Sequence, residues 1–181
     1  MPTSWAGAAT RYETWQAMED LYLDKRVRVI GVSNFSLRQL RGIVEHKEVR
    51  VRPQVLQMEF HPCHQSKEIV DYCAAQGIAV QAYASLGGTE KISKDASVSL
   101  IHDPVIKGIA NEVERSPSAV LLRWALQRGV CIIPKSSRNE RVRDNTQIFD
   151  FSLTETMMGT IDAMTQTGRW TWKGEDFDAE P

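Results

Sequence analysis

Four short apolar runs, each closing on small polar residues and each followed by a helix-period stretch, constrain this chain more than any other feature. They are Val27-Arg28-Val29-Ile30-Gly31-Val32-Ser33-Asn34-Phe35, Val55-Leu56-Gln57-Met58-Glu59-Phe60-His61-Pro62, Ile78-Ala79-Val80-Gln81-Ala82-Tyr83-Ala84-Ser85-Leu86-Gly87 and Val130-Cys131-Ile132-Ile133-Pro134-Lys135-Ser136-Ser137. Runs of this length and composition read as strands. Strands alternating with helices, with starts about 23–28 residues apart over the first three, argue for parallel βα units. The gap before the fourth is about twice as long, and an extra helix and a loop fill it.

The helices follow from spacing. Trp15, Met18, Leu21 and Tyr22 form an apolar stripe over Glu13–Asp24. Strand one is expected at Arg26–Val32. Ser36 is placed to cap a helix carrying Leu37, Leu40, Ile43 and Val44. Strand two spans Gln54–Phe60. Ser66 opens the next helix, with Ile69, Val70 and Cys73 inward, and Gly77 ends it. Strand three covers Ile78–Ala84. Ser85–His102 reads as a surface loop. Helices are expected at Pro104–Glu114 and Ser118–Gln127, the second entered through Ser116-Pro117. Strand four is Val130–Ile133, then a helix runs from Asn139 and a last one from Thr154-Glu155 to Met164. Residues 1–12 are a loose lead-in, 13–165 one β/α domain, and 166–181 a tail.

Composition removes several function classes. With 22 Lys+Arg against 23 Asp+Glu the net charge is −1, and no basic stripe appears, so nucleic acid is not an expected partner. No apolar run approaches the roughly 18–20 residues of a membrane span, and the start lacks the basic and apolar regions of a secretory signal. Three cysteines, Cys63, Cys73 and Cys131, are few and odd in number. Cys73 and Cys131 fall where small core residues do, and the set fits a reducing, cytoplasmic setting rather than a disulfide framework. His61-Pro62-Cys63-His64 invites a zinc reading, but no second ligand cluster accompanies it.

Chemistry concentrates at the carboxyl ends of the strands, where ligands collect in parallel α/β sheets. Lys135, Ser136, Ser137 and Arg141 make a phosphate site at the end of strand four, against the plainer reading of a turn with surface cations. Gln57 stands among apolar neighbours on a strand, and a buried amide needs a hydrogen-bond partner. Ser33 and Asn34 close strand one; the plainer reading makes them helix-entry capping residues. Tyr83 closes strand three, as a stacking face or as a rim tyrosine over the core.

Taken in order, these segments resemble the second half of the aldo-keto reductases. That family shows a G-x-S-N-F strand end, an N-Q-x-E-x-H-P strand, a Y-S-P-L-G loop and an I-P-K-S…R…E-N phosphate motif. The resemblance runs from Glu13 to about Met164. It implies an α/β fold, the second half of a (β/α)₈ TIM barrel with about four strands and outer helices. It also implies NADPH-dependent reduction of a small carbonyl substrate to an alcohol.

Residue by residue, the resemblance gives Ser33, Asn34 and Gln57 to the nicotinamide carboxamide and Tyr83 to stacking on its ring. Leu86 lies in the loop that folds over the pyrophosphate. Here Ala84 and Ser85 replace the family's serine and proline, which implies a looser loop. Lys135, Ser136, Ser137 and Arg141 face a 2′-phosphate, and two cations there favour NADP(H) over NAD(H). Asp144 stands where the family usually has glutamate, and Asn145 matches its adenine-contacting asparagine.

The family's tyrosine, lysine, aspartate and histidine lie on the first four strands of its barrel, upstream of the helix expected here near Glu13. Met1 to Tyr12 hold no strand run and no lysine, histidine or aspartate. A whole barrel takes about 250 residues. The expected reading is therefore a cofactor-binding half, truncated and inactive alone. It would expose open barrel edges that favour self-association. The rival readings are a non-catalytic nucleotide-binding or interaction protein derived from the family, and a product with no function of its own.

Overall fold

The computed structural model describes residues 8–87, 99–167 and 170–171. Four strands, β1 (Gly31–Ser33), β2 (Val55–Glu59), β3 (Ala79–Tyr83) and β4 (Cys131–Ile132), form one sheet in the order β1-β2-β3-β4. The pairs are parallel in register: Gly31 faces Val55 between β1 and β2, and Gln81 faces Cys131 between β3 and β4. The sheet is open, with β1 and β4 at its edges. Helices α1 (Ala8–Leu23), α2 (Leu37–Val44), α3 (Lys67–Gln76), α4 (Pro104–Glu112), α5 (Pro117–Gln127), α6 (Asn139–Asp144) and α7 (Glu155–Asp162) lie between or beyond the strands in sequence. This is the open, partial β/α barrel that the alternation implied.

The chain divides into two compact units. In the first, Trp15, Ile30 and Ile43 form a buried cluster bordered by Met18, Tyr22, Val32 and Phe35. Burying apolar surface of this kind stabilises by roughly 25 cal/mol per Å². Glu19, on the same face of α1, is fully buried as well. Its carboxylate accepts the Arg50 and Val51 N–H groups at 2.6 and 2.7 Å and the Arg50 Nε at 3.3 Å. A charge survives out of water only with such partners.

Helix α1 begins at Ala8, five residues before the apolar stripe suggested, since alanine and polar residues extend a helix without marking its periodicity. Strand β1 is shorter than the expected Arg26–Val32. The Arg26 and Val27 N–H groups both bond to the Leu21 carbonyl, closing α1, and so are lost to the ladder. Ser36 caps α2 in a reciprocal capping box with Gln39, as its position required. Helix α3 starts at Lys67, after Ser66, whose φ is +42°. Gly77 at φ +69° ends it without the cost a side chain would incur.

In the second unit, the buried Trp124 of α5 stacks on Phe60, ring centres 5.0 Å apart, and donates its Nε1 to Asp162 at 2.8 Å. Gln127 holds the Leu153 backbone with both ends of its amide, at 2.9 and 2.7 Å. Ser116 caps α5 through the Ala119 N–H, with Pro117 in the first turn. Cys131 is exposed, not a core residue: β4 is an edge strand only two residues long, and alternation turns its sulfur outward. Most of the expected Ser85–His102 loop and of the tail after Thr167 lies outside the described residues.

Candidate functional site

Each unit brings part of the expected site together. In the first, Ser33 and Gln57 are register partners across β1 and β2, and the Asn34 N–H donates to the Gln57 carbonyl at 2.9 Å. Asn34 has φ +59°, a conformation asparagine tolerates better than most residues. The cap of α2 is Ser36, so helix capping does not account for Ser33 or Asn34.

In the second unit, Tyr83 ends β3 half-buried, and its carbonyl accepts the Phe60 N–H at 3.3 Å. The turn after it is tied down at its start. The Ser85 hydroxyl is buried and donates to the Ala82 carbonyl at 3.1 Å, and the Gly87 N–H donates to the Ala84 carbonyl at 2.7 Å. Ala84 sits at φ +51° and Gly87 at +84°. Ser85, in the place of the family's proline, thus fixes this part of the loop with a bond proline cannot make.

Leu86, Lys135, Ser136, Arg141, Asp144 and Asn145 line one cavity of about 400 Å³. Ser137 does not line it. Lys135 and Arg141 are solvent-exposed, and among the described residues neither forms an ion pair. The Ser136 hydroxyl is engaged locally, accepting from the Arg138 N–H at 3.2 Å. Ile101, His102, Lys107, Pro117 and Ser118 complete the lining. The strand-end pattern did not point to them, because they come from α4, α5 and the turn before α4. Only packing brings those elements beside the β4 end.

A further buried group escaped the sequence reading. Glu59, at the end of β2, is 1% exposed. Its carboxylate lies 3.0 Å from His61 Nε2 and accepts the Trp170 N–H at 2.6 Å, the Thr171 N–H at 3.1 Å and the Thr171 hydroxyl. Burial pushes the Glu59 carboxyl up, but the bonds from His61, Thr171 and Trp170 outweigh it and hold it below its ordinary value. The Thr171 hydroxyl also stands 3.5 Å from the Tyr83 hydroxyl. His61 and His64 bridge each other's backbones, so His61-Pro62 is a turn. No group of three or more metal-ligating side chains occurs among the described residues.

An open sheet of parallel β/α units with flanking helices defines the class of the fold. Residues 4–166 match the Aldo/keto reductase family, and the chain belongs to it. It is 39% identical over 164 residues to aldo-keto reductase family 1 member A1 of Sus scrofa, covering 90% of this chain and 50% of that protein. It is 39% identical over 165 residues to the glyoxal reductase of Bacillus subtilis, covering 91% and 56%. A 9,11-endoperoxide prostaglandin H2 reductase of Trypanosoma cruzi is 36% identical over 165 residues, covering 91% and 56%. The chain spans about half the length of these curated relatives.

Proposed function

We propose that this chain is the NADP(H)-binding part of an oxidoreductase that reduces aldehydes or ketones to alcohols, and that the 181-residue chain does not do so alone. The observation that carries the reading is the cavity lined by Lys135 and Arg141, which form no ion pair among the described residues, together with Asp144 and Asn145. Two cations exceed what a ribose diol requires and suit a phosphate, which the Arg141 guanidinium can bond bidentately.

When bound, the cofactor supplies the hydride. The residues of this chain hold it: Ser33, Asn34 and Gln57 at the carboxamide, Tyr83 against the ring, and Leu86 by the pyrophosphate. Lys135, Ser136, Ser137 and Arg141 serve the 2′-phosphate, with Asp144 and Asn145 on the adenine side. A hydride acceptor becomes an alkoxide and needs a proton as it forms. Tyr12 and Tyr72 do not serve. Both lie in helices, Tyr12 in α1 and Tyr72 in α3, rather than at a strand end. Against the rival of an adapted binding protein stand the sheet edges, where Val29 and Ile133 remain exposed and apolar.

Titrating the chain with 2′,5′-ADP and 5′-AMP, and following NADPH oxidation with a panel of aldehydes, tests both parts. Preferential binding of the 2′-phosphorylated ligand and background turnover are expected. Removing a general acid alone typically costs about 10²–10⁴ in rate. Turnover at ordinary enzymatic rates, abolished by Tyr83→Phe, would refute the account of the missing acid and of Tyr83.

A further inference from the structure

The cavity that holds Lys135 and Arg141 also takes a lysine from another element. Helix α4 is capped by Asp103, whose carboxylate accepts the Val105 N–H at 2.8 Å, and Pro104 opens its first turn. Its buried face is Ile106, Ile109 and Ala110. That leaves Lys107 on the exposed side, where it lines the cavity together with Ser118 from the start of α5. Among the described residues Lys107, like Lys135 and Arg141, forms no ion pair. Three cations and one carboxylate, Asp144, line this cavity, so an excess of positive charge is left for an anion to meet.

Charge balance makes the third cation matter. A phosphate monoester carries about −1.5 to −2 at neutral pH. The Asp144 carboxylate lines the same cavity and offsets one of the two cations supplied by the β4–α6 segment. Lys135 and Arg141 alone would then leave the phosphate under-neutralised. Lys107 restores the balance, and a flexible four-carbon stem can bring its ammonium to a phosphate without the fixed geometry a guanidinium needs.

We infer that Lys107 is a specificity-determining residue, a third cation that makes this cavity select a 2′-phosphorylated adenine nucleotide over an unphosphorylated one. The inference rests on the nucleotide reading above and adds to it a residue outside the strand-end motifs. Lys107 comes from α4, a different element from the β4–α6 segment that carries Lys135 and Arg141, yet it lines the same cavity.

The experiment is calorimetric titration of the 181-residue chain at low ionic strength with 2′,5′-ADP and 5′-AMP, for wild type, Lys107→Gln, Lys107→Arg and Arg141→Ala. Lys107→Gln should weaken 2′,5′-ADP about three- to fivefold, the upper range of one exposed charge contact, and 5′-AMP by less than about twofold. Lys107→Arg should keep most of the 2′,5′-ADP affinity, because it keeps the charge. Unchanged 2′,5′-ADP binding in Lys107→Gln, with Arg141→Ala still impaired, overturns the role of Lys107 and leaves the nucleotide reading standing. Equal losses for both ligands overturn the selectivity. A wild-type chain that binds neither ligand overturns both.

Discussion

The carboxylate of Glu59 and the backbone N–H of Trp170 lie 2.6 Å apart across 111 positions of sequence. This bond, with those from Thr171, fastens the segment after α7 to the end of β2. The Trp170 ring is buried 4.7 Å from the His61 ring, and its Nε1 donates to the Thr167 hydroxyl at 2.6 Å. A side chain at Gly87 would strike it, which explains a glycine at the turn after β3. Loss of the Glu59 charge should therefore free Trp170 and Thr171 together. Glu59→Gln is expected to cost on the order of 2–4 kcal/mol, since buried donors lose their charged acceptor. The measurement is chemical denaturation at pH 7, with limited proteolysis reporting release of the tail.

The same carboxylate sets a pH dependence. Its folded-state value is lowered, so its contribution is fully present above the unfolded value, about pH 4.3, and is lost as pH falls through the folded value. The stability difference between wild type and Glu59→Gln should shrink only below about pH 4. A difference that stayed constant down to the acid transition would show that the bond geometry, not the charge, matters.

Gly31 opens β1 directly against Val55, and a Cβ there would fall inside contact distance of the Val55 carbonyl. Gly31→Ala should separate the two strands and cost roughly 1–3 kcal/mol as an overpacking change. A melting temperature equal to wild type would show that this pair gives way more easily than a packed ladder does.

Arg141 is expected to discriminate between cofactors. Arg141→Ala should weaken NADPH about tenfold or more and leave NADH within about twofold, because a charge-assisted bond to a phosphate disappears only in the first case. Binding titrations of each cofactor with the chain decide it. Equal losses would move Arg141 away from the 2′-phosphate.

The exposed Val29 and Ile133 lie beside the two edge strands, 55% and 42% accessible. Unpaired edges with apolar flanks invite pairing with another chain. The protein should sediment as dimers or larger species, and Val29→Lys with Ile133→Lys should shift it toward monomer. A sharp monomeric boundary for wild type at micromolar concentration would count against this.

Elements whose signals are local were legible in the sequence. The Ser36 capping box, the Ser116-Pro117 entry, the Gly77 stop and the apolar runs of β2 and β3 depend on residues within a few positions of each other. Half of the cavity was legible for the same reason, because Lys135, Ser136, Arg141, Asp144 and Asn145 follow one strand end. What escaped was set by contacts between distant segments. The helical start at Ala8 carried no periodic mark. Strand β1 was shortened by the Arg26 and Val27 amides bonding back to Leu21, a competition that an apolar run does not reveal.

By itself, then, the sequence determined the order of parallel β/α units and the family to which they belong, since hydrophobic period and strand-end chemistry are written in consecutive residues. Only the tertiary structure decided that Glu19 and Glu59 are buried acids with full sets of donors, and that Cys131 faces outward. Only it placed Lys107 on the cavity that Lys135 and Arg141 line. A charged residue declares neither its burial nor its neighbours locally. Both depend on which backbone amides and helix faces the packed chain brings to it.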